Sequence, residues 1–187
     1  RDVLGSRGLG DVYKRQVKFC KNMERVRLLI IGPNSFIAKF FMQQLKNKFY
    51  TTLSVRGDVW KNFDYSSYDV IIYFAAIVHH PEITDEVLYN RVNAEIPYEM
   101  AKLAVEQGVK KFIYISTMAV VGLAPRFGNI NPINRSTPLY PNTPYGRSKL
   151  RGERMLSQID RLCIQLVRLP NAVSYTHLRA HETLRHL

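Results

Sequence analysis

Short, continuous apolar runs alternate along this chain with stretches of helical period, and this alternation constrains the fold more than any other feature. The apolar runs cover residues 25–31, 50–55, 68–76, 110–117 and 161–169. Helical spacing marks residues 35–49, 85–109 and 144–159. Strands that alternate with helices form a parallel sheet covered on both faces, and its ligand lies at the carboxyl ends of the strands. The sequence therefore predicts an α/β fold with a doubly wound parallel sheet.

Two irregularities in the alternation lead to local predictions. Residues 51–69 are too few for a full strand–helix–strand unit, so one element there is expected to be abbreviated. Pro97 interrupts the helical stretch 85–109 and is expected to divide it into two pieces. Gly108 is expected to end that stretch, and Pro144 stands near the start of the last helix.

The two ends of the chain do not fit the alternation. One DNA coding of VSYTHLRAHET, residues 173–183, has a reverse complement that encodes SRGLGDVYKRQ, residues 6–16, in a shifted frame. Both ends therefore resemble translated sequencing-adapter DNA, and residues 1–16 and 172–187 are interpreted as non-native tails outside the fold. The native portion is then residues 17–171, with Met23 as a candidate start. We expect this portion to be an N-terminal fragment whose C-terminal substrate-binding part is missing.

Composition excludes several classes of protein. The formal net charge is +12, and it remains +9 without the two tails, which carry six basic and three acidic residues. The basic residues are scattered, which suits an anionic cofactor and substrate better than nucleic acid. The two cysteines, Cys20 and Cys163, imply no disulfide framework and fit a reducing cytoplasm, and Cys163 is expected to be a buried thiol. No apolar run approaches membrane-spanning length, and no signal-peptide pattern is present.

The turn after the first predicted strand reads GPNSFIA, residues 32–38. Gly32 allows a tight turn, while Ser35 and Ala38 are small enough for close packing of helix on strand. The amides at the start of the following helix would face a pyrophosphate. Any strand–glycine–helix turn can share this spacing, so the motif alone does not decide the ligand.

A second motif, YGRSK, places Tyr145 and Lys149 four residues apart, on one face of the last predicted helix. A lysine there is expected to lower the pKa of the phenol and make it a general base. Surface Tyr–Lys pairs at this spacing are also common. Ser116 and Thr117 end the fourth apolar run, where a hydroxyl could bond a substrate oxygen.

Taken in order, GPNSFIA, YFAA, STMAVVG and PYGRSK resemble the extended short-chain dehydrogenase/reductase family, in its NAD-dependent epimerase/dehydratase branch. The likeness covers nearly all of residues 25–171 and implies a Rossmann-type fold with helices on both faces. It implies that Tyr145, Lys149 and Thr117 are catalytic, since the glycine of the family's serine-containing motif falls on Gly122.

The same resemblance implies the binding residues. Those expected at an NAD or NADP cofactor, besides Tyr145 and Lys149, are Gly32, Asn34, Ser35, Phe36, Ile37, Phe74, Ala75, Ala76, Asn93, Ser116 and Pro170. Those expected at the substrate are Thr117, Asn171 and His79. His79 and His80 are adjacent on a strand end and point apart, so no metal site is predicted.

Cofactor choice depends on the end of the second strand. NAD-specific members of the family place an aspartate there, where this chain has Arg56. Arg56 could accept a 2′-phosphate, which favours NADP over NAD. The alternative is a solvated arginine beside the adenine, and Asp58 or Asp64 could serve the adenine instead.

The resemblance implies a nucleotide-sugar epimerase, in which Tyr145 takes a sugar hydroxyl proton while hydride passes to the nicotinamide, giving a keto-sugar intermediate. Met118 and Ala119 follow Thr117 where dehydratases carry Asp-Glu, which argues against 4,6-dehydration. A carbonyl or keto-sugar reductase and a non-catalytic NAD(P)-binding protein remain alternatives. The full-length parent is expected to be a cytoplasmic homodimer without nucleic-acid or membrane partners, and the fragment is expected to be inactive.

Overall fold

Five parallel strands form one sheet in the described part of the computed structural model, which comprises residues 26–45, 49–78, 85–122, 133–134 and 136–170. In chain order these strands are β1 (Leu28–Ile31), β2 (Tyr50–Leu53), β3 (Val70–Tyr73), β4 (Lys111–Thr117) and β5 (Cys163–Leu169). Their order across the sheet is β2-β1-β3-β4-β5. This arrangement confirms the predicted doubly wound sheet of Rossmann type.

The strand order reverses at β1, which pairs with β2 on one side and with β3 on the other. Ile31 therefore lies in register with both Leu53 and Tyr73, all at the carboxyl ends of their strands. The chain leaves these neighbouring ends in opposite directions, and the crevice opened there is where ligands of such sheets bind.

The connections between strands carry the helices. These are α1 (Phe36–Gln44), α2 (Glu86–Asn90), a π-helical turn (Arg91–Glu95), α3 (Ile96–Glu106) and α4 (Pro144–Leu156). Between β2 and β3 there is only a single 3₁₀ turn, Val59–Asn62, which confirms the expected abbreviation. The π turn ends just before Pro97, which lies in the first turn of α3. The helical backbone continues through both, so the stretch changes its hydrogen-bond spacing there and is not broken into two separate pieces as expected. Gly108, with a φ of 80°, follows the end of α3.

Two apolar layers cover the sheet. Alternate strand residues such as Leu29, Ile31 and Phe112 pack with Met100 of α3 and Leu156 of α4 on one face. The intervening residues, Ile30 and Ile72 among them, pack with Ala38 of α1 on the other face. Both faces of the central strands are thus buried, which explains why their sequences are continuously apolar.

Cys163 corrects one expectation, because its thiol is exposed rather than buried. It is the first residue of β5, the edge strand of the described sheet, where even an apolar run has fewer neighbours to cover it. Within the described ranges, no helix combines the length and apolar character needed to cross a bilayer.

Candidate active site

Two adjoining cavities open at the carboxyl edge of the sheet. The first, of about 420 Å³, lies between the start of α1, the ends of β3, β4 and β5, and α4. Its lining includes Ser35, Phe36, Ile37, Phe74, Ala76, Ser116, Thr117, Tyr145, Lys149 and Pro170. The second, of about 470 Å³, shares Ser35 and Ala76 and extends past Gly32, Asn34 and Ala75 to Arg56. Most of the predicted site residues are therefore together at one edge of the fold.

The loop between β1 and α1 lines the second cavity and reaches the first at Ser35. Gly32 has a φ of 79°, and a Cβ on it would lie 2.6 Å from the Ala75 nitrogen, so only glycine fits. Ser35 occupies the N-cap of α1 without a side-chain hydrogen bond to the described amides. These first-turn N–H groups, at the positive end of the helix dipole, remain able to bind a phosphate. The loop thus fits the pyrophosphate of a dinucleotide.

Tyr145 is held at the cavity by the first turn of α4. The Thr143 side chain caps this helix by accepting a 3.0 Å hydrogen bond from the Gly146 amide. The phenol and the Thr117 side chain line the same cavity, and Thr117 Oγ1 accepts a 3.1 Å bond from the Ala119 amide. Tyr145 and Thr117 can therefore both contact one bound oxygen atom.

The pKa of Tyr145 differs from the expectation. Burial raises it, and the nearby Thr117 side chain offsets only part of that effect. Lys149 does not provide the expected lowering, because its ammonium is directed to the sheet: Nζ donates a 2.9 Å bond to the Ile115 carbonyl and lies 4.5 Å from the centre of the Tyr114 ring.

Lys149 is itself a buried cation, with 1% of its surface exposed. Loss of hydration lowers its pKa from the ordinary 10.5 to about 7, and the nearby Glu153 carboxylate opposes that fall. Near neutral pH the Lys149 side chain can therefore exist in both charge states, which makes it responsive to a charged ligand.

Glu153 and Arg168 form an ion pair behind Ser116, and the sequence analysis did not predict it. Glu153 is 3% exposed and accepts a 2.6 Å hydrogen bond from the Ser116 hydroxyl as well as two from Arg168. The available signal was the position of Glu153, four residues after Lys149 on the same helix. Ser116 lines the first cavity, but its hydroxyl proton is engaged by this carboxylate.

Asn93 lies behind the cavity wall and lines neither cavity. It is fully buried in the π turn, where its amide exchanges two 3.0 Å hydrogen bonds with the Ile77 backbone and donates a third to the Ser148 hydroxyl. The side chain thus connects the loop after β3 to α4. These contacts give Asn93 a supporting place in the structure, and its contact with a cofactor stays a prediction.

Of the three residues predicted near the adenosine part of the cofactor, only one lines a cavity in the structure. Arg56 lines the second cavity beside Ser54 at the end of β2. Asp58 instead pairs with Lys61 at 3.0 Å, and Asp64 accepts hydrogen bonds from Ser66. Neither carboxylate lines these two cavities, because each is held locally beyond β2.

His79, His80 and Asn171 lie outside the described residues. Among those that are described, no group of three or more histidine, cysteine, aspartate or glutamate side chains is arranged to hold a metal ion.

Comparison with known proteins gives one family. The family model described as "NAD dependent epimerase/dehydratase family" matches residues 39–187. UDP-arabinose 4-epimerase 1 from Arabidopsis thaliana is 28% identical over 66% of this chain and 30% of its own length. This chain spans about a third of the length of the curated relatives that it matches.

Solved structures share the fold. The enzyme WbmG from Bordetella bronchiseptica, in complex with NAD and UDP, has a TM-score of 0.65 and 22% identity, over 83% of this chain and 60% of its own. RMD from Pseudomonas aeruginosa, complexed with NADPH, has a TM-score of 0.61 and 21% identity, over 78% of this chain and 53% of its own.

Proposed function

This chain belongs to the NAD dependent epimerase/dehydratase family, and on that premise we propose that it is the dinucleotide-binding part of an NAD(P)-dependent sugar-nucleotide epimerase. One observation carries the proposal: Thr117, Tyr145 and Lys149 line the same cavity as the uncapped start of α1. The three side chains and the helix N-terminus lie beside the crevice where such sheets bind ligands, which supports the proposal.

Relatives support the class of substrate. The matching Arabidopsis thaliana protein is named a UDP-arabinose 4-epimerase, and a protein from Vibrio cholerae that is 29% identical over 66% of this chain is named a UDP-glucose 4-epimerase. The WbmG structure contains UDP together with NAD. We infer a nucleotide sugar as the substrate, with the sugar placed near Thr117 and Tyr145.

In the proposed mechanism the cofactor, when bound, supplies the acceptor and donor of a hydride. Tyr145, as the phenolate, takes the proton of a sugar hydroxyl while Thr117 holds the same oxygen by a hydrogen bond. Tyr145 would return this proton to the keto oxygen after the keto sugar has turned over, so that reduction of its opposite face would invert the stereocentre. Lys149 lies one helical turn from Tyr145 with its ammonium on the Ile115 carbonyl, and it would contact the cofactor ribose when the cofactor is bound.

Arg56 supports NADP as the cofactor, since it lines the second cavity at the end of β2, where the fold expects the adenosine ribose. The structural neighbours include one protein with NAD and one with NADPH, so both cofactors fit this fold. The Arg56 position also favours a second candidate function, a keto-sugar reductase, because reductive enzymes commonly draw on NADPH. The same three reactive residues would serve either reaction.

A titration tests the cofactor assignment directly. NAD, NADP and their reduced forms are added to the folded 187-residue chain, and binding is followed by calorimetry. We expect weak binding of dinucleotides, with NADP preferred, and loss of that preference in Arg56→Gln. Arg161→Gln, an exposed arginine in the turn before β5, is the matched control. A folded sample that binds none of the four dinucleotides would contradict the assignment, and a clear preference for NAD would remove the role of Arg56 alone.

A further inference from the structure

Glu153 is a buried carboxylate that the proposed reaction does not use. It lies in α4 one turn beyond Lys149, and only 3% of its surface is exposed. A buried carboxylate is costly unless it is paired and hydrogen-bonded. Its retention beside a reactive set therefore requires an explanation from its contacts.

Those contacts join three elements at the carboxyl edge of the sheet. Glu153 Oε1 accepts hydrogen bonds from the Ser116 hydroxyl of β4 at 2.6 Å and from Arg168 Nε of β5 at 2.9 Å. Its Oε2 accepts a 2.7 Å bond from Arg168 Nη2. The guanidinium thus binds both carboxylate oxygens, a geometry that fixes direction as well as distance.

The two strand residues held by Glu153 are neighbours in the sheet. Ser116 lies in register with Arg168, and the next pair along is Thr117 with Leu169. Thr117 lines the same cavity as the Tyr145 phenol, and Leu169 and Pro170 form part of its wall. A change in the Glu153 contacts would therefore move the strand ends that carry Thr117 and Pro170.

We propose that Glu153 is a positioning residue: its carboxylate holds Ser116 and Arg168 so that the ends of β4 and β5 keep Thr117 and Pro170 in the cavity with Tyr145 and Lys149. The proposal deepens the function given above and rests on the reactive roles assigned there to Thr117, Tyr145 and Lys149.

The charge of Glu153 provides a second measurable consequence. Lys149 is faced by the Tyr114 ring and the Ile115 carbonyl from β4 and by Glu153 from its own helix, and it shares the cavity with Tyr145. Arg168 approaches from β5 but is paired to Glu153. Glu153 raises the pKa of Lys149 against the effect of burial, so neutralising it lowers that pKa further below about 7.

The test compares Glu153→Gln with wild type in the 187-residue chain, using NMR titration of the lysine ε-CH₂ groups and the Thr117 methyl signal. We expect the Lys149 midpoint to fall by roughly half a pH unit or more, and the Thr117 methyl signal to shift. Glu106→Gln, at an exposed position in α3, is the matched control and should change neither signal. Glu153→Asp keeps the charge and should restore most of the Lys149 midpoint.

Arg168→Lys tests the same positioning role through the other partner of the ion pair, and it serves if Glu153→Gln does not fold. Lysine keeps the positive charge but cannot bind both carboxylate oxygens, so the Thr117 signal should shift while the Lys149 midpoint stays close to wild type. An unchanged Thr117 signal in either folded variant, or an unchanged Lys149 midpoint in Glu153→Gln, would overturn the proposal. Dinucleotide titration of wild type separates the two hypotheses. If no dinucleotide binds, the proposed function is contradicted, while the NMR shifts would still show that Glu153 positions Thr117.

Discussion

Tyr145 is the residue on which the proposed chemistry depends, and its environment sets the expected pH dependence. Burial raises the pKa of the phenol, so the reactive phenolate becomes more abundant as pH increases, and the wild-type rate should rise from neutral to alkaline pH. Tyr145→Phe in an active, full-length form of the protein should lose ~10²–10⁴-fold in rate while folding and dinucleotide affinity are retained. A pH–rate profile with calorimetry measures both. Retention of more than about a tenth of the wild-type rate would show that another group is the base.

Tyr114 makes two contacts whose effects can be measured separately, one through its ring and one through its hydroxyl. Its ring face lies 4.5 Å from the Lys149 ammonium, and its hydroxyl donates a hydrogen bond to the Asn93 carbonyl. Tyr114→Phe keeps the ring and leaves that carbonyl without its donor, so we expect a loss of about 1–3 kcal/mol in the free energy of unfolding and little change in the Lys149 pKa.

Tyr114→Leu is the companion variant, because it removes the ring as well as the hydroxyl. Without the attraction of the aromatic face for the cation, the Lys149 pKa should fall below that of Tyr114→Phe. Urea unfolding and NMR titration of the lysine ε-CH₂ groups measure the two quantities. Equal Lys149 midpoints in the Phe and Leu variants would show that the ring does not stabilise the charge.

At the residue scale, the sequence predicted which groups meet but not what holds them. Thr117, Tyr145 and Lys149 were identified through their motifs, and all three line the first cavity. Glu153 was missed because its partners, Ser116 and Arg168, come from two strands far away in sequence. The direction of Lys149 was also missed, because the Ile115 carbonyl that receives it is a backbone atom with no sequence signature.

Among the secondary-structure elements, α4 and the π turn approach unusually closely, and a glycine permits it. A Cβ on Gly152 would lie 2.5 Å from the Asn93 carbonyl oxygen and 2.8 Å from the Tyr114 hydroxyl. In an isolated helix, glycine to alanine is stabilising by about 1 kcal/mol. Here Gly152→Ala should instead destabilise the protein by about 1–3 kcal/mol, because the opposing atom is backbone and both elements are packed.

Urea unfolding of Gly152→Ala measures this balance between helix propensity and packing. Arg154→Ala, at an exposed position two residues further along α4, serves as the control and should lie within about 0.5 kcal/mol of wild type. A Gly152→Ala protein as stable as wild type would mean that α4 can move away from the π turn without cost.

The predicted elements agree with the structure wherever local pattern determines them. The apolar runs became β1 to β5, and the short segment after β2 reduced to a 3₁₀ turn. The π turn was not predictable, because the Tyr73 and Tyr114 hydroxyls of β3 and β4 bind its Val92 and Asn93 carbonyls, a tertiary arrangement. The exposure of Cys163 was missed since strand order, which puts β5 at the edge, is likewise set by the whole fold.

Across the whole molecule, the site combines stabilising and destabilising contributions. The buried Glu153 is matched by Ser116 and Arg168, so its three hydrogen bonds offset the loss of hydration. The buried Lys149 is less well matched, having one carbonyl, one ring face and a carboxylate one turn away. Lowered stability at a functional group is common where the group is retained for its chemistry.

Lys149→Met should therefore increase global stability in a pH-dependent way. The pKa of Lys149 falls from 10.5 to about 7 on folding, so between these values the unfolded chain binds a proton that the folded chain does not. Wild-type stability accordingly rises as pH increases from 7 towards 10.5, and below pH 7 the full cost of the buried charge remains.

Methionine carries no charge, so Lys149→Met should be more stable than wild type by about 2–4 kcal/mol at pH 6, with the difference shrinking by pH 9. Urea unfolding at both pH values measures this, and Lys39→Met, at an exposed position in α1, should show no such pH-dependent gain. A Lys149→Met protein less stable than wild type at pH 6 would show that the contacts of the ammonium outweigh its dehydration.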